Sequence, residues 1–198
     1  MLAADPLLPS GDGHTPLTDE DLEGLRLTYI STRGELYDAE QGNIVRGLPR
    51  TPPSCDELLD DKYLRDLHRA MFDEVWAWAG RYRLREKSIG IDPDEIAAEV
   101  RALVDDARAW VEYRTYERDE LALRFHVRLE AIHPFPNGNG RHGRIAANYL
   151  VMCLGGAPFS WGATQDVTTD ELRKRYLGAL RHGESTGDFA AFVSFART

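Results

Sequence analysis

Cysteine is scarce in this chain: Cys55 and Cys153 are the only two, and neither sits in a CxxC pair. Two are too few for a disulfide framework, so the expectation is a pair of buried or idle thiols in a reducing cytoplasm. Apolar runs are short as well. None approaches the roughly 20 residues that a helix needs to cross a bilayer, so no membrane span is expected. Met1 to Pro9 lacks the basic start and sustained apolar stretch of a secretory signal. Positive charge is in deficit, with 24 Lys and Arg against 33 Asp and Glu and a net charge of -9. A nucleic-acid polymer is therefore not expected as the main partner, because such binders gather cations on one face to neutralise phosphates. No internal repeat, low-complexity tract or linker divides the 198 residues. One domain over 1–198 is expected.

What is present reads as successive helices after a loose leader over residues 1–17. Thr18 can cap a first helix whose opening turn carries Asp19, Glu20 and Asp21. Leu22, Leu25, Tyr29, Leu36 and Ile44 continue its apolar spacing until Gly47 and the following prolines, giving a helix over 18–47. Ser54 and Glu57 form a capping box for a second helix carrying a bulky stripe from Leu64 to Trp78 and stopping near Gly80. Residues 81–91, Arg-Tyr-Arg-Leu-Arg-Glu-Lys-Ser-Ile-Gly-Ile, lose the helical stripe and read as a short β-hairpin or extended flap. Asp92 and Pro93 open the next helix, which runs to about Tyr113. Further helices follow over about 118–132, from the glycine-rich loop to Leu154, after Thr168 with Glu171, and after Asp188. The fold class is mostly helical, with a small β-hairpin flap.

The densest signal is His133-Pro-Phe-Pro-Asn-Gly-Asn-Gly-Arg-His-Gly-Arg144. Pro134 and Pro136 disfavour helix, so His133 stands where the preceding helix must end. Gly138 and Gly140 let backbone N–H groups approach a ligand closely. The next helix begins there, so its unpaired N–H groups and positive dipole end form an anion-binding nest. Arg141 and Arg144, three apart, can both reach phosphate oxygens. A histidine beside a bound polyphosphate can take a proton from an incoming hydroxyl. These parts converge on nucleotidyl or phosphoryl transfer.

The same stretch resembles the Fic-family signature HxFx(D/E)GNGRxxR, departing from it at one position. Trp78 to Arg83 with Lys87 to Ile91 is similar to the family's flap region. The chain from Thr15-Pro16-Leu17 to Phe159-Ser160-Trp161-Gly162 resembles the mobile mystery protein B subgroup. The resemblance implies a Fic fold and transfer of AMP from ATP to a Tyr, Thr or Ser hydroxyl of a target protein. It makes His133 the general base, with Phe135 anchoring the loop. Gly138, Asn139 and Gly140 then hold the α- and β-phosphates. Arg141 contacts phosphate and braces the loop, and Arg144 grips the γ-phosphate. Ser88, Ile89 and Gly90 match the flap that pairs with an extended target segment by strand addition. The departure is Asn137, where the family places the Asp or Glu that binds Mg²⁺, so metal binding through this position is expected to be weaker.

Ser31-Thr-Arg-Gly-Glu35 resembles the family's inhibitory motif, in which a glutamate pairs with the second arginine of the signature. Glu40 is the rival acid. The resemblance further implies a DNA-binding antitoxin-like partner. Other residues are expected to be structural: His126 as a hydrogen-bonded core residue, Trp76, Trp78 and Trp110 as core, and His142 as an exposed position. Adenine is expected near Tyr176 and Leu180. Three function classes stay open: AMP transfer, another transfer or AMP removal on the same fold, and a non-catalytic regulatory module.

Overall fold

Four helix starts, at Thr32, Ser54, Asp60 and Thr168, are set by short polar side chains that capture orphan N–H groups. The computed structural model describes residues 22–198. The proposed Thr18 cap, its first-turn acids and the 1–17 leader lie outside them. Helix α1, Arg33–Gly47, begins at Thr32, whose hydroxyl accepts from Glu35 N while the Glu35 carboxylate returns to the cap. The single helix expected over 18–47 is therefore interrupted. Thr28, Ile30 and Thr32 are β-branched and Ser31 competes for backbone bonds, so this stretch favours a cap over a helix interior. Residues 24–26 instead lie beside 75–77: Leu25 bridges Trp76, Arg26 N donates to Val75 O at 2.8 Å, and Ala77 N donates to Gly24 O at 2.8 Å.

The second expected helix is divided as well. Helix α2, Cys55–Leu58, carries the Ser54–Glu57 capping box. Asp60 then restarts the chain as α3, Asp61–Phe72, by accepting from Tyr63 N at 3.0 Å. Asn43 ties α1 to the end of α3, donating to Ala70 O at 3.2 Å and accepting from Glu74 N at 2.9 Å. A Cβ at Gly47 would lie 1.7 Å from Ala70 O, so only glycine permits this approach.

No strand ladder forms within 81–91, nor elsewhere among the described residues beyond the isolated bridge at Leu25. The segment runs extended with bends, and its backbone pairs with residues 132–134: Arg83 N to Pro134 O at 2.9 Å and Ile91 N to Ile132 O at 3.4 Å. Asp92 caps a 3₁₀ turn, Pro93–Glu95, that leads into α4, Ile96–Tyr113. Then come α5, Arg118–Ile132, and α6, Asn139–Cys153. Helix α7, Thr169–Thr186, is capped by Thr168, and α8, Ala190–Arg197, closes the chain.

Helix α5 lies at the centre, against α4, α6, α7 and α8. Leu123 and Phe125 on α5 and Ala146, Ala147 and Leu150 on α6 are fully buried. Each large apolar side chain buried this way contributes about 1.5–3 kcal/mol. The small Ala146 and Ala147 let the two helices approach, and that approach sets the loop between them.

One expectation is overturned outright. Cys55 and Cys153 form a disulfide with a Cα–Cα distance of 5.4 Å across 98 residues of sequence. It ties α2 to the last turn of α6 and removes the ground on which a reducing compartment was inferred. No helix among the described residues is long and apolar enough to cross a membrane.

Candidate functional site

The site is the junction of α5 and α6. Pro134 cannot continue α5, so His133 leaves the helix in the left-handed conformation, φ 53° and ψ 59°. Its N–H still donates to Leu129 O at 3.1 Å. The imidazole is buried at 6% exposure and hydrogen-bonds to the backbone of Glu130. Burial, then the Arg83 guanidinium and Lys87, push its pKa down to about 4 against the opposing pull of that backbone bond. At neutral pH the ring is uncharged and can accept a proton.

Asn139 closes the loop: its Oδ1 accepts from Phe135 N at 2.9 Å and its Nδ2 donates to Phe135 O at 2.8 Å. The Phe135 ring is buried and stacks on His68 with centroids 3.7 Å apart. Gly138 caps α6 at φ 80°, and a Cβ there would fall 2.6 Å from the Phe72 ring. The N–H groups of the first turn of α6 have no partner inside the helix and point out of its N-terminus. Asn137 turns its Oδ1 onto Gly138 N at 2.7 Å, while its carbonyl meets His68 Nε2 at 3.0 Å. Gly80 N donates to His68 Nδ1 at 3.0 Å, so the His68 proton sits on Nε2 and the ring is neutral. Burial pushes its pKa well down.

Arg141 and Arg144 are both nearly buried on α6. Arg141 Nη1 stands 2.7 Å from Glu40 Oε2, an ion pair without hydrogen-bond alignment, and its guanidinium lies 4.8 Å above the Phe72 ring. The other Glu40 oxygen accepts from Trp76 Nε1 at 2.6 Å. Arg144 lies 5.6 Å from the Tyr176 ring centroid. It faces Glu130, whose carboxyl is pushed up to about 7 by burial, against the pull of Arg144.

The two candidate glutamates of α1 are thus separated. Glu40 reaches the signature, at its first arginine. Glu35 Oε2 accepts from Ser31 N at 2.8 Å, Ser31 Oγ at 3.0 Å and Thr32 N at 3.0 Å, which holds its carboxyl below the usual range. Ser31 stands before the cap rather than one helical turn from Glu35. Ser88, Ile89 and Gly90 are exposed beside the site. A Cβ on Gly90, which has φ 107°, would lie 2.7 Å from His133 Cβ.

His142 is not exposed. It is fully buried, its Nε2 bonded to Leu64 O at 2.9 Å, because α6 is packed on all sides and even its outward position meets α3. His126 is buried with its Nε2 2.7 Å from the Tyr176 hydroxyl. Sequence reasoning missed His68, Arg83 and Glu130. Only a polar residue inside an apolar stripe, as at His68 and Glu130, could have flagged two of them.

No group of three or more His, Cys, Asp or Glu residues is placed to hold a metal among the described residues. The one donor at the expected position is Asn137 Oδ1, neutral and already accepting from Gly138 N. That donor set fits an ion arriving with substrate phosphates, not one held by the protein alone.

Residues 58–151 match the Fic/DOC family model. The chain is 33% identical over 177 residues to a probable protein adenylyltransferase of Sinorhizobium fredii, covering 85% of this chain and 86% of that one. It is 27% identical over 147 residues to a protein adenylyltransferase of Caenorhabditis elegans, matching 71% of this chain and only 27% of that longer protein. Among solved structures, the BepC protein of Bartonella tribocorum with bound AMPPNP superposes with a TM-score of 0.64 at 19% identity, covering 85% of this chain and 87% of that one.

Proposed function

The chain belongs to the Fic/DOC family, and on that premise we propose that it transfers AMP from ATP to a Tyr, Thr or Ser hydroxyl of a target protein. The observation that carries this reading is the position of His133. An uncharged imidazole stands at the end of α5 and meets, across one tight loop, the N-terminus of a helix bearing Arg141 and Arg144.

The target hydroxyl gives its proton to the His133 ring as its oxygen bonds to the α-phosphorus. The bond from that phosphorus to the bridging oxygen breaks, and pyrophosphate leaves. The α6 N-terminus with Gly138, Asn139 and Gly140 holds the α- and β-phosphates. Arg144 takes the γ-phosphate, which orients the α-phosphate for in-line attack. Asn137 offers its oxygen to the Mg²⁺ that arrives with ATP; the ion neutralises phosphate charge when bound. The exposed strip Ser88-Ile89-Gly90 is where an extended target segment would pair.

Regulation by α1 belongs to the same reading. For Glu35 to reach Arg144 it must give up three hydrogen bonds at its cap, so the geometry favours Glu40, already on Arg141, as the acid that competes with phosphate. The subgroup resemblance supports a DNA-binding antitoxin-like partner.

Incubation with α-labelled and γ-labelled ATP tests the core of this reading. Protein that retains α-label supports AMP transfer. Retention of γ-label alone means phosphorylation. Retention of neither, with the nucleotide bound, means a regulatory module.

A further inference from the structure

Arg83 comes from the extended segment, yet its side chain is buried at 3% exposure. Its Nε donates to His133 O at 2.8 Å and its Nη1 to Arg85 O at 2.8 Å. Nη2 donates to Ile91 O at 2.5 Å and reaches Ile132 O at 3.5 Å. Its backbone N–H donates to Pro134 O at 2.9 Å. Each of these acceptors is a backbone carbonyl. One rigid fork thus joins both ends of the flap tip, the last residue of α5 and His133.

Physical chemistry gives each contact a reason. The last carbonyls of a helix have no partner inside it, and a cation is favoured at that end. His133 holds a left-handed backbone that residues other than glycine rarely adopt, so the turn must be held from outside. A guanidinium can meet several carbonyls at fixed angles; an ammonium cannot. Gly90 seals the arrangement, since a Cβ there would lie 2.6 Å from Arg83 Nη2.

We propose that Arg83 is a positioning residue that clamps the target-docking segment 85–91 and His133 into one unit, keeping base and incoming hydroxyl in register. This rests on the reading of His133 as base and of the segment as docking strip. Arg83 and Lys87, both from the extended segment, act electrostatically on the imidazole. Arg83 therefore also opposes premature protonation.

Two variants test this. Arg83→Lys keeps the charge but not the fork; Arg83→Met removes both. The first readouts need no catalysis: amide hydrogen exchange over 84–91 and 133–135, and the His133 imidazole titration by NMR. Both variants should speed exchange in those stretches by about tenfold or more, as lost bonds to a charged donor predict, with α4 and α7 unchanged. The His133 titration should stay near that of the wild type in Arg83→Lys. In Arg83→Met it should move upward by about one pH unit, as removal of a nearby cation predicts. Unchanged exchange in the flap, or an unmoved His133 titration in Arg83→Met, overturns the proposal. So does an Arg83→Lys protein that fails to fold, because Arg83 would then be a folding residue. In the α-label assay, Arg83→Lys should lower kcat while leaving affinity for a non-hydrolysable ATP analogue unchanged. If the wild type transfers no α-label, the AMP-transfer reading fails, and the exchange and titration results still decide the clamp.

Discussion

Replacing Glu40 by Gln removes one charge from a buried pair and little else. The side chains of Glu40 and Arg141 are 6% and 8% exposed. Gln keeps the volume and can still accept from Trp76 Nε1, so no cavity forms. What remains is a guanidinium without its counter-charge, and breaking a buried pair in this way costs about 3–5 kcal/mol. The lower end applies, because the pair lacks hydrogen-bond alignment and the Phe72 ring still supports the cation at 4.8 Å. With a urea m-value of about 2 kcal/mol/M, a loss of about 3 kcal/mol moves the midpoint down by about 1.5 M. If Glu40 competes with phosphate for Arg141, the variant should also bind ATP about tenfold more tightly, worth about 1.4 kcal/mol. Urea unfolding with and without ATP measures both terms. A stability loss below about 1 kcal/mol, or an ATP affinity that stays the same or falls, refutes the reasoning. Glu35→Gln is the companion: it loosens the start of α1 and should leave ATP affinity unchanged. A rise in self-labelling from Glu35→Gln alone would return the inhibitory role to Glu35.

His133→Ala should reduce α-label transfer by about 10²–10⁴-fold with nucleotide affinity retained, and near-normal transfer would discard the base assignment. Asn137→Asp should lower the Mg²⁺ concentration needed for half-maximal labelling, and an identical metal titration would place residue 137 away from the ion. His126, His133 and His142 are pushed down to about 3, 4 and 4 in the fold from 6.5. The unfolded chain therefore binds more protons below pH 6.5, and stability is lost as pH falls from there towards 4. Glu130, raised to about 7 from 4.5, acts with the opposite sign, so urea series at pH 7, 6 and 5 should show a steeper acid loss in Glu130→Gln; a shallower one contradicts the assignment. Reducing the Cys55–Cys153 bond opens a loop of 98 residues, and loop entropy predicts a loss of about 4.7 kcal/mol, readable as a lower urea midpoint in dithiothreitol.

Local chemistry made much of the fold legible. The Ser54–Glu57 box, the Asp92 cap, the Thr168 cap and the end of α5 before Pro134 all stand where the sequence places them. Each is decided within four residues by hydrogen bonds that the chain makes to itself. The break before Thr32 was less legible, because the apolar spacing of Leu22, Leu25 and Tyr29 mimics a helix. There the competing caps outweighed periodicity. The disulfide, the burial of His142 and the pairing of Glu40 with Arg141 depend on residues 78 to 101 positions apart. No local pattern carries that information; it exists only once α1, α2, α3 and α6 have packed.

The electrostatics of the site bear on the order of the proposed reaction. Burial first, then Arg83 and Lys87, depress His133, and the N-terminus of α6 faces the same loop with its positive end. These features attract polyphosphate and, without it, oppose the imidazolium that a general base becomes after taking a proton. A bound polyphosphate would supply compensating negative charge and so favour the imidazolium. On the proposed reading, bound nucleotide therefore favours proton abstraction by His133. Glu40 bears on the same sequence of events, since it partly neutralises Arg141 and lowers the pull of the nest on phosphate. The arrangement disfavours the imidazolium while the nest is empty, and on the proposed reading it disfavours it less once phosphate is bound.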